Sequence, residues 1–248
     1  MSGHNRWQKI KGKKLAGDRK RSVGWGKFIR EITLSVRTGG EDPANNTALR
    51  VAIERARGEN MPSDTIQRAI KKGTGEAGSE TYEELTYEAY GPGGSAMVIE
   101  VLTDNRNRAT AEVRHLLDRY GAKIGASGSV LYIFKKRGSI SFEAGSVSED
   151  ALMEAALELG ADDVQTEGGV LTVLTDPASY FTVKEGLEAK GFTAAQSELG
   201  LVPDNSVRLE GKVAEAMVKL TAALEESDDV KNVYSNADID DEVYERVG

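Results

Sequence analysis

The sequence predicts an α+β chain in three units: a helical N-terminal domain followed by two ferredoxin-like α/β sandwiches, one inserted into the other. Three observations predict it. Apolar residues recur at helical spacing as far as about residue 75 and alternate between strand and helix patterns after it. Residues 138–203 hold a complete βαββαβ order. A helix carrying Val213, Met217, Leu220 and Leu224 and a strand near 230–235 then follow with no sheet of their own, so the economical solution returns them to the sheet begun at 82–134. The predicted domains are 1–78, 79–137 together with 204–248, and 138–203; a continuous domain containing everything after 80 is the less compact alternative.

The first helix carries Trp25, Phe28, Ile29, Ile32 and Val36 on one stripe, with Trp25 read as core, and stops at Gly39-Gly40 and Asp42-Pro43. A second helix turns Leu49, Ala52, Ile53 and Ala56 inward and Arg50, Glu54 and Arg57 away. A third begins near Pro62 with Ser63 as N-cap and ends at Gly73. Its inner face is Ile66, Ala69 and Ile70; its outer face, Arg68, Lys71 and Lys72, is uniformly basic.

Beyond the linker at Gly73–Ser79, strands at 82–90 and 96–103 flank the tight loop Gly91-Pro92-Gly93-Gly94. A helix with Val113, Leu116, Leu117 and Tyr120 on one face leads to a strand at about 129–134. The inserted unit reads as strand 138–143, helix 149–159, strands 163–167 and 170–175, helix 178–190 and strand 193–202.

The net charge of −8 conceals a division. Residues 1–75 carry 17 Lys+Arg against 7 Asp+Glu, whereas residues 76–248 carry 15 against 33. A basic head on an acidic body fits a nucleic-acid-binding chain, although two such units could also simply attract one another. Eight basic residues, Lys9, Lys11, Lys13, Lys14, Arg19, Lys20, Arg21 and Lys27, fall within 19 positions, close to Arg6 and flanked by Trp7 and Trp25. Clustered cations neutralise phosphates and release counterions, and an aromatic ring beside them can stack on a base, for which Trp7 is the better candidate. With Arg68, Lys71 and Lys72 these form the predicted nucleic-acid contact set.

Catalysis finds little to work with, and the chain is read as a non-enzyme without metal or cofactor. There is no cysteine. His4 stands near the start, and His115 lies on the polar side of its helix with Arg108, Glu112 and Arg119. Gly73-Thr74-Gly75-Glu76-Ala77-Gly78 matches G-x-G-x-x-G, but it follows a helix, where a dinucleotide fingerprint must follow a strand and open a helix. Glu83, Glu84 and Glu88, and Asp238, Asp240, Asp241 and Glu242, are close in sequence without the spacing of an EF-hand. Gly91, Pro92, Gly93 and Gly94 form a loop whose glycines permit close approach to RNA, with a hairpin turn of positive φ as the favoured reading. No apolar run approaches the ~20 residues of a membrane span, and no small-molecule substrate is implied; the cytoplasm is the predicted location.

These residues also carry a family resemblance. Gly3-His4-Asn5-Arg6-Trp7 with Ile10-Lys11, Phe28-Ile29-Arg30-Glu31-Ile32, Asn60-Met61-Pro62 and Ile66-Gln67-Arg68-Ala69-Ile70-Lys71-Lys72-Gly73 resemble the YebC/PmpR family. So do Tyr87-Glu88-Ala89-Tyr90-Gly91-Pro92-Gly93-Gly94, Thr103-Asp104-Asn105-Arg106-Asn107-Arg108 and Gly125-Ala126-Ser127-Gly128-Ser129-Val130, in that order. The resemblance implies a three-domain α+β protein that regulates transcription by binding DNA. For relatives that look like translation factors it implies the alternative of a partner in ribosomal RNA or the ribosome. Two departures stand out: Asn5-Arg6 where the family has Ser-Lys, and Arg21-Ser22-Val23-Gly24-Trp25-Gly26 where it has Arg-Gly-Lys before the first helix, which removes a basic contact at position 23.

Overall fold

The computed structural model describes residues 25–75, 81–143, 145–167 and 169–247 of the chain. Three helices come first: α1 (Gly26–Gly39), α2 (Thr47–Gly58) and α3 (Ser63–Thr74). Phe28, Ile32 and Val36 of α1 meet Leu49 and Ile53 of α2 and Ile66 of α3 in one buried cluster. Asn46 fastens the turn between the first two helices. Its Oδ1 accepts the Leu49 amide at 3.0 Å and caps α2, while its Nδ2 donates to the carbonyls of Ser35 and Gly40 at 2.7 Å each.

Three local expectations change here. Trp25 stands at the N-cap of α1, 40% exposed, and takes no part in the core. The N-cap of α3 is Pro62, so Ser63 is the first helical residue and caps nothing. Gly73 lies inside α3 and does not end it. A Cβ there would sit 2.5 Å from Val36 Cβ and 2.9 Å from the Thr33 carbonyl oxygen, so glycine is required by how closely α3 approaches α1.

The chain then lays down β1 (Glu83–Tyr90), β2 (Ala96–Thr103), α4 (Arg106–Arg119) and β3 (Lys123–Ile124). Next come β4 (Phe134–Glu143), α5 (Glu149–Glu158), β5 (Asp163–Glu167), β6 (Val170–Thr175), α6 (Tyr180–Ala189) and β7 (Gln196–Pro203). It closes with β8 (Val207–Arg208), α7 (Gly211–Glu226), β9 (Val230–Ser235), β10 (Ala237–Asp238) and α8 (Asp241–Val247).

Two four-stranded antiparallel sheets result, ordered β3-β1-β2-β9 and β5-β6-β4-β7. The second has the strand order of a ferredoxin-like sandwich, its Ile140, Phe142 and Val173 packed on Leu152 of α5 and Val183 and Leu187 of α6. The first has an equivalent spatial order but a different path: its two inner strands, β1 and β2, are hairpin neighbours, where the inner strands β4 and β6 of the second are separated by a helix and an edge strand. Its ferredoxin-like character is therefore one of layout and not of connectivity. Met97, Ile99 and Val101 face Leu117 of α4 and Met217 and Leu220 of α7. On the opposite face Ala96 and Val98 meet Val130, Phe134 and Tyr234, which joins the two sandwiches.

The strand expected at 129–134 is absent. Leu131–Ile133 form a 3-10 turn, and β4 starts at Phe134 and runs unbroken through Glu143. The cause is the buried Glu88, whose carboxylate accepts the amides of Gly128, Val130 and Leu131 at 2.5, 2.7 and 2.7 Å. Amides gathered on one anion are not available to a sheet ladder.

Candidate nucleic-acid interface

Of the predicted contact set, Arg6, Trp7, Lys9, Lys11, Lys13, Lys14, Arg19, Lys20 and Arg21 lie outside the described residues. Arg68, Lys71 and Lys72 are all exposed on α3, so helical spacing brings these cations to one face. That face is not uniformly basic, because Arg68 pairs with Asp64 one turn earlier at 3.4 Å, both side chains being largely in water. Lys27 points elsewhere: half-buried on α1, its Nζ donates to the carbonyl of Glu225 at 3.1 Å, at the end of α7.

Lys27 belongs to a seam that pattern reading did not reveal. Arg30, a turn further along α1, places Nη1 3.0 Å from Asp229 Oδ1 and donates through Nη2 to the Asp228 carbonyl. Asp229 is 4% exposed and also receives Arg108 of α4 at 2.8 Å. Beside it, Lys231 lies 3.6 Å from Glu31 of α1, and Arg55 of α2 donates to the Lys231 carbonyl at 3.3 Å. Arg50 and Glu54 do point away from the helical core as expected, but toward the inserted sandwich. Arg50 pairs with Glu185 and covers the Phe181 ring at 3.8 Å, and Glu54 meets Lys184 at 2.7 Å. The faint signals were Asp228-Asp229 between a helix and a strand and charged residues on an otherwise core-directed helix; neither has a period that marks a contact.

The glycine loop is a turn with one packed side. Gly93 and Gly94 have φ of 69° and 77°, so the positive φ expected of a hairpin turn is present at both. Gly91 and Pro92 are buried, whereas Gly93 and Gly94 are exposed. A Cβ on Gly93 would lie 2.5 Å from Leu209 Cδ2, while one on Gly94 meets nothing within 4 Å. Gly94 is therefore the loop position that a ligand could approach.

Glu84, Glu88, Asp238 and Asp240 are engaged within the fold. Burial pushes the Glu88 carboxyl up, but the hydrogen bonds from the Val130, Gly128 and Leu131 amides outweigh it and hold the group below the ordinary range. Asp238 and Asp240 both pair with Arg208, and Glu84 with Lys231. Among the described residues no group of three or more His, Asp or Glu side chains is placed to hold a metal ion. His115 is exposed on α4. No described helix is long and apolar enough to cross a membrane.

Comparison with known proteins gives a consistent answer along the chain. A family model described as the TACO1/YebC N-terminal domain matches residues 5–76, and one described as the TACO1/YebC second and third domain matches residues 82–237. A "probable transcriptional regulatory protein" of Syntrophus aciditrophicus is 50% identical over 248 residues, 100% of this chain and 99% of the relative. Another of that name, from Treponema denticola, is 51% identical over 239 residues, 96% of this chain and 97% of the relative. Among solved structures, a conserved hypothetical protein from Aquifex aeolicus superposes with a TM-score of 0.78 at 44% identity, covering 90% of this chain and 93% of that one.

Proposed function

The chain belongs to the TACO1/YebC family, and from that premise we propose that it is a non-enzymatic transcriptional regulator that binds DNA through its helical N-terminal unit. The name shared by the similar bacterial proteins supports regulation of transcription. The observation that carries DNA binding is the division of charge, with 17 basic against 7 acidic residues before position 76 and 15 against 33 after it. A body of that sign repels a phosphate backbone at long range, so affinity is assigned to the head. The contact set is Arg6 to Arg21 on the N-terminal segment, with Arg68, Lys71 and Lys72 on α3 as a second, exposed set. Phosphate contacts of this kind position the protein without reading bases.

The test is the salt dependence of binding. If about 6 phosphates of duplex DNA are neutralised, log K falls against log salt with a slope near −5. Replacing Lys11, Lys13, Lys14 and Lys20 with Ala should flatten that slope by about 3 to 4. A slope the four changes leave untouched would take the basic segment out of the interface. Co-sedimentation with ribosomes in place of DNA binding would transfer the same cations to ribosomal RNA.

A further inference from the structure

The helical unit sits on both sandwiches through charged side chains. Its apolar cluster is made of its own residues, from Phe28 to Ile70, and among the described residues no buried apolar cluster crosses the seam. Segments joined mainly by polar contacts, without a large apolar interface, have relative motion as their default.

The charges across the seam share an unusual property. Separating a buried ion pair ordinarily strands a charge in a poorly hydrated place, which makes the separation costly. Here the buried members keep a partner on their own side. Asp229 retains Arg108 at 2.8 Å, and Arg108 is held in turn by Asp104 at 2.8 Å. Glu31 retains Arg55 at 3.1 Å, and Lys231 retains Glu84 at 3.1 Å. On parting, Arg30, Arg50 and Glu54 of the helical unit lose Asp229, Glu185 and Lys184, and Lys27 and Arg55 lose the carbonyls of Glu225 and Lys231. A seam whose two buried carboxylates, Asp229 and Glu31, stay compensated when it parts can open at low cost.

We propose that the helical unit is a detachable arm, held on the sandwiches by an ionic latch for which a polyanion competes, so that opening gives Arg30 and Arg50 to a phosphate backbone. The closed form is self-inhibited, since Asp229, the Asp228 carbonyl and Glu185 occupy the positions that phosphates would take on these two guanidinium groups. The identity of the polyanion rests on the DNA-binding reading above; the latch itself does not.

The chain has no cysteine, so Gln67→Cys on α3 and Lys219→Cys on α7, both at exposed positions, supply two spin labels in the full-length protein. Between about 0.01 and about 1 M salt the Debye length drops from about 30 to about 3 Å. The inter-label distance should be narrow at low salt and pass to a longer, broader distribution at high salt, and again at low salt on addition of duplex DNA. Lys184→Gln with Glu185→Gln opens the latch from the body side. It removes one charge of each sign, leaves the net charge unchanged and touches no core residue; circular dichroism checks the fold. This variant should be open at low salt and bind duplex DNA more tightly, by up to about tenfold if the closed form holds about nine-tenths of the population. Adding Arg30→Gln should abolish the gain. Distances indifferent to salt, DNA and the double change would overturn the latch, as would an opened variant with unchanged DNA affinity. If salt and heparin open the arm while no form binds DNA, the latch stands and the DNA-binding reading falls.

Discussion

Glu88 and Val130 are tied across 42 residues of sequence, the Val130 amide donating to the Glu88 carboxylate at 2.7 Å. With the Gly128 and Leu131 amides on the same carboxylate, one side chain of β1 shapes the turn that delivers the chain into β4. Because this carboxyl titrates below its ordinary range in the folded protein, its contribution is complete above the unfolded value of about 4.3 and is lost as pH falls through the depressed folded value. Thermal melts across that acid window should show a steep loss of stability that Glu88→Gln makes shallower. Glu88→Ala strands three amides and should cost more than the about 1–3 kcal/mol expected of one. Equal acid sensitivity of the wild type and Glu88→Gln would remove the carboxylate from this role.

Gly73→Ala should destabilise the helical unit by about 1–3 kcal/mol, because its methyl group overlaps Val36 and the Thr33 carbonyl and α3 must move off α1. Urea titration followed by helical circular dichroism measures the loss. Stability equal to the wild type would mean that α3 does not approach α1 as closely as described.

In the glycine loop, Gly94→Ala meets no neighbour and should cost only the about 1–2 kcal/mol of a left-handed residue with a Cβ. Gly93→Ala adds overlap with Leu209 and Val213 and should cost more, so it is a poor probe of ligand contact. Duplex DNA affinity should be the same in Gly94→Ala as in the wild type. Loss of a ribosome-dependent output in that variant, with DNA affinity kept, would move the function to translation.

Residues 134–204, expressed alone, should unfold in one cooperative urea transition, since Ile140, Phe142, Leu152, Val173, Val183 and Leu187 form a core within that span. The shorter piece 138–203 removes Phe134 to Arg137 from their pairing with β7 and should be measurably less stable. A gradual melt of the longer fragment would deny the inserted unit its independence.

What the sequence made legible follows from period. Phe28, Ile32 and Val36, or Val113 and Leu117, announce helices because one face is apolar, and β1, β2, β5, β6, β7 and β9 are legible within a few residues, whereas the two-residue strands β3 and β8 are too short to carry a period. Ser-Val-Leu-Tyr-Ile-Phe at 129–134 has the composition of a strand and loses to Glu88, an override carried by a single distant carboxylate. Gly73 reads as a stop by residue type, and only the proximity of Val36 shows why it is glycine. The candidate interface was legible as charge, in Arg68, Lys71 and Lys72. The seam was not, since the pairing of Arg30 with Asp229 spans 199 residues and leaves no local trace.

The return of β9 to the edge of β2 also has a consequence during synthesis. β2 ends at Thr103 and its partner starts at Val230, so about 130 residues separate the two strands of that ladder. At translation rates of about 5–20 residues per second, β9 leaves the ribosome roughly 6–25 s after β2. Throughout that interval Met97 to Val101 present an apolar strand with an unpaired edge, a template for wrong pairing with a neighbouring nascent chain. The first sheet must therefore wait, and its exposure to mispairing depends on how well that single edge is shielded until β9 arrives.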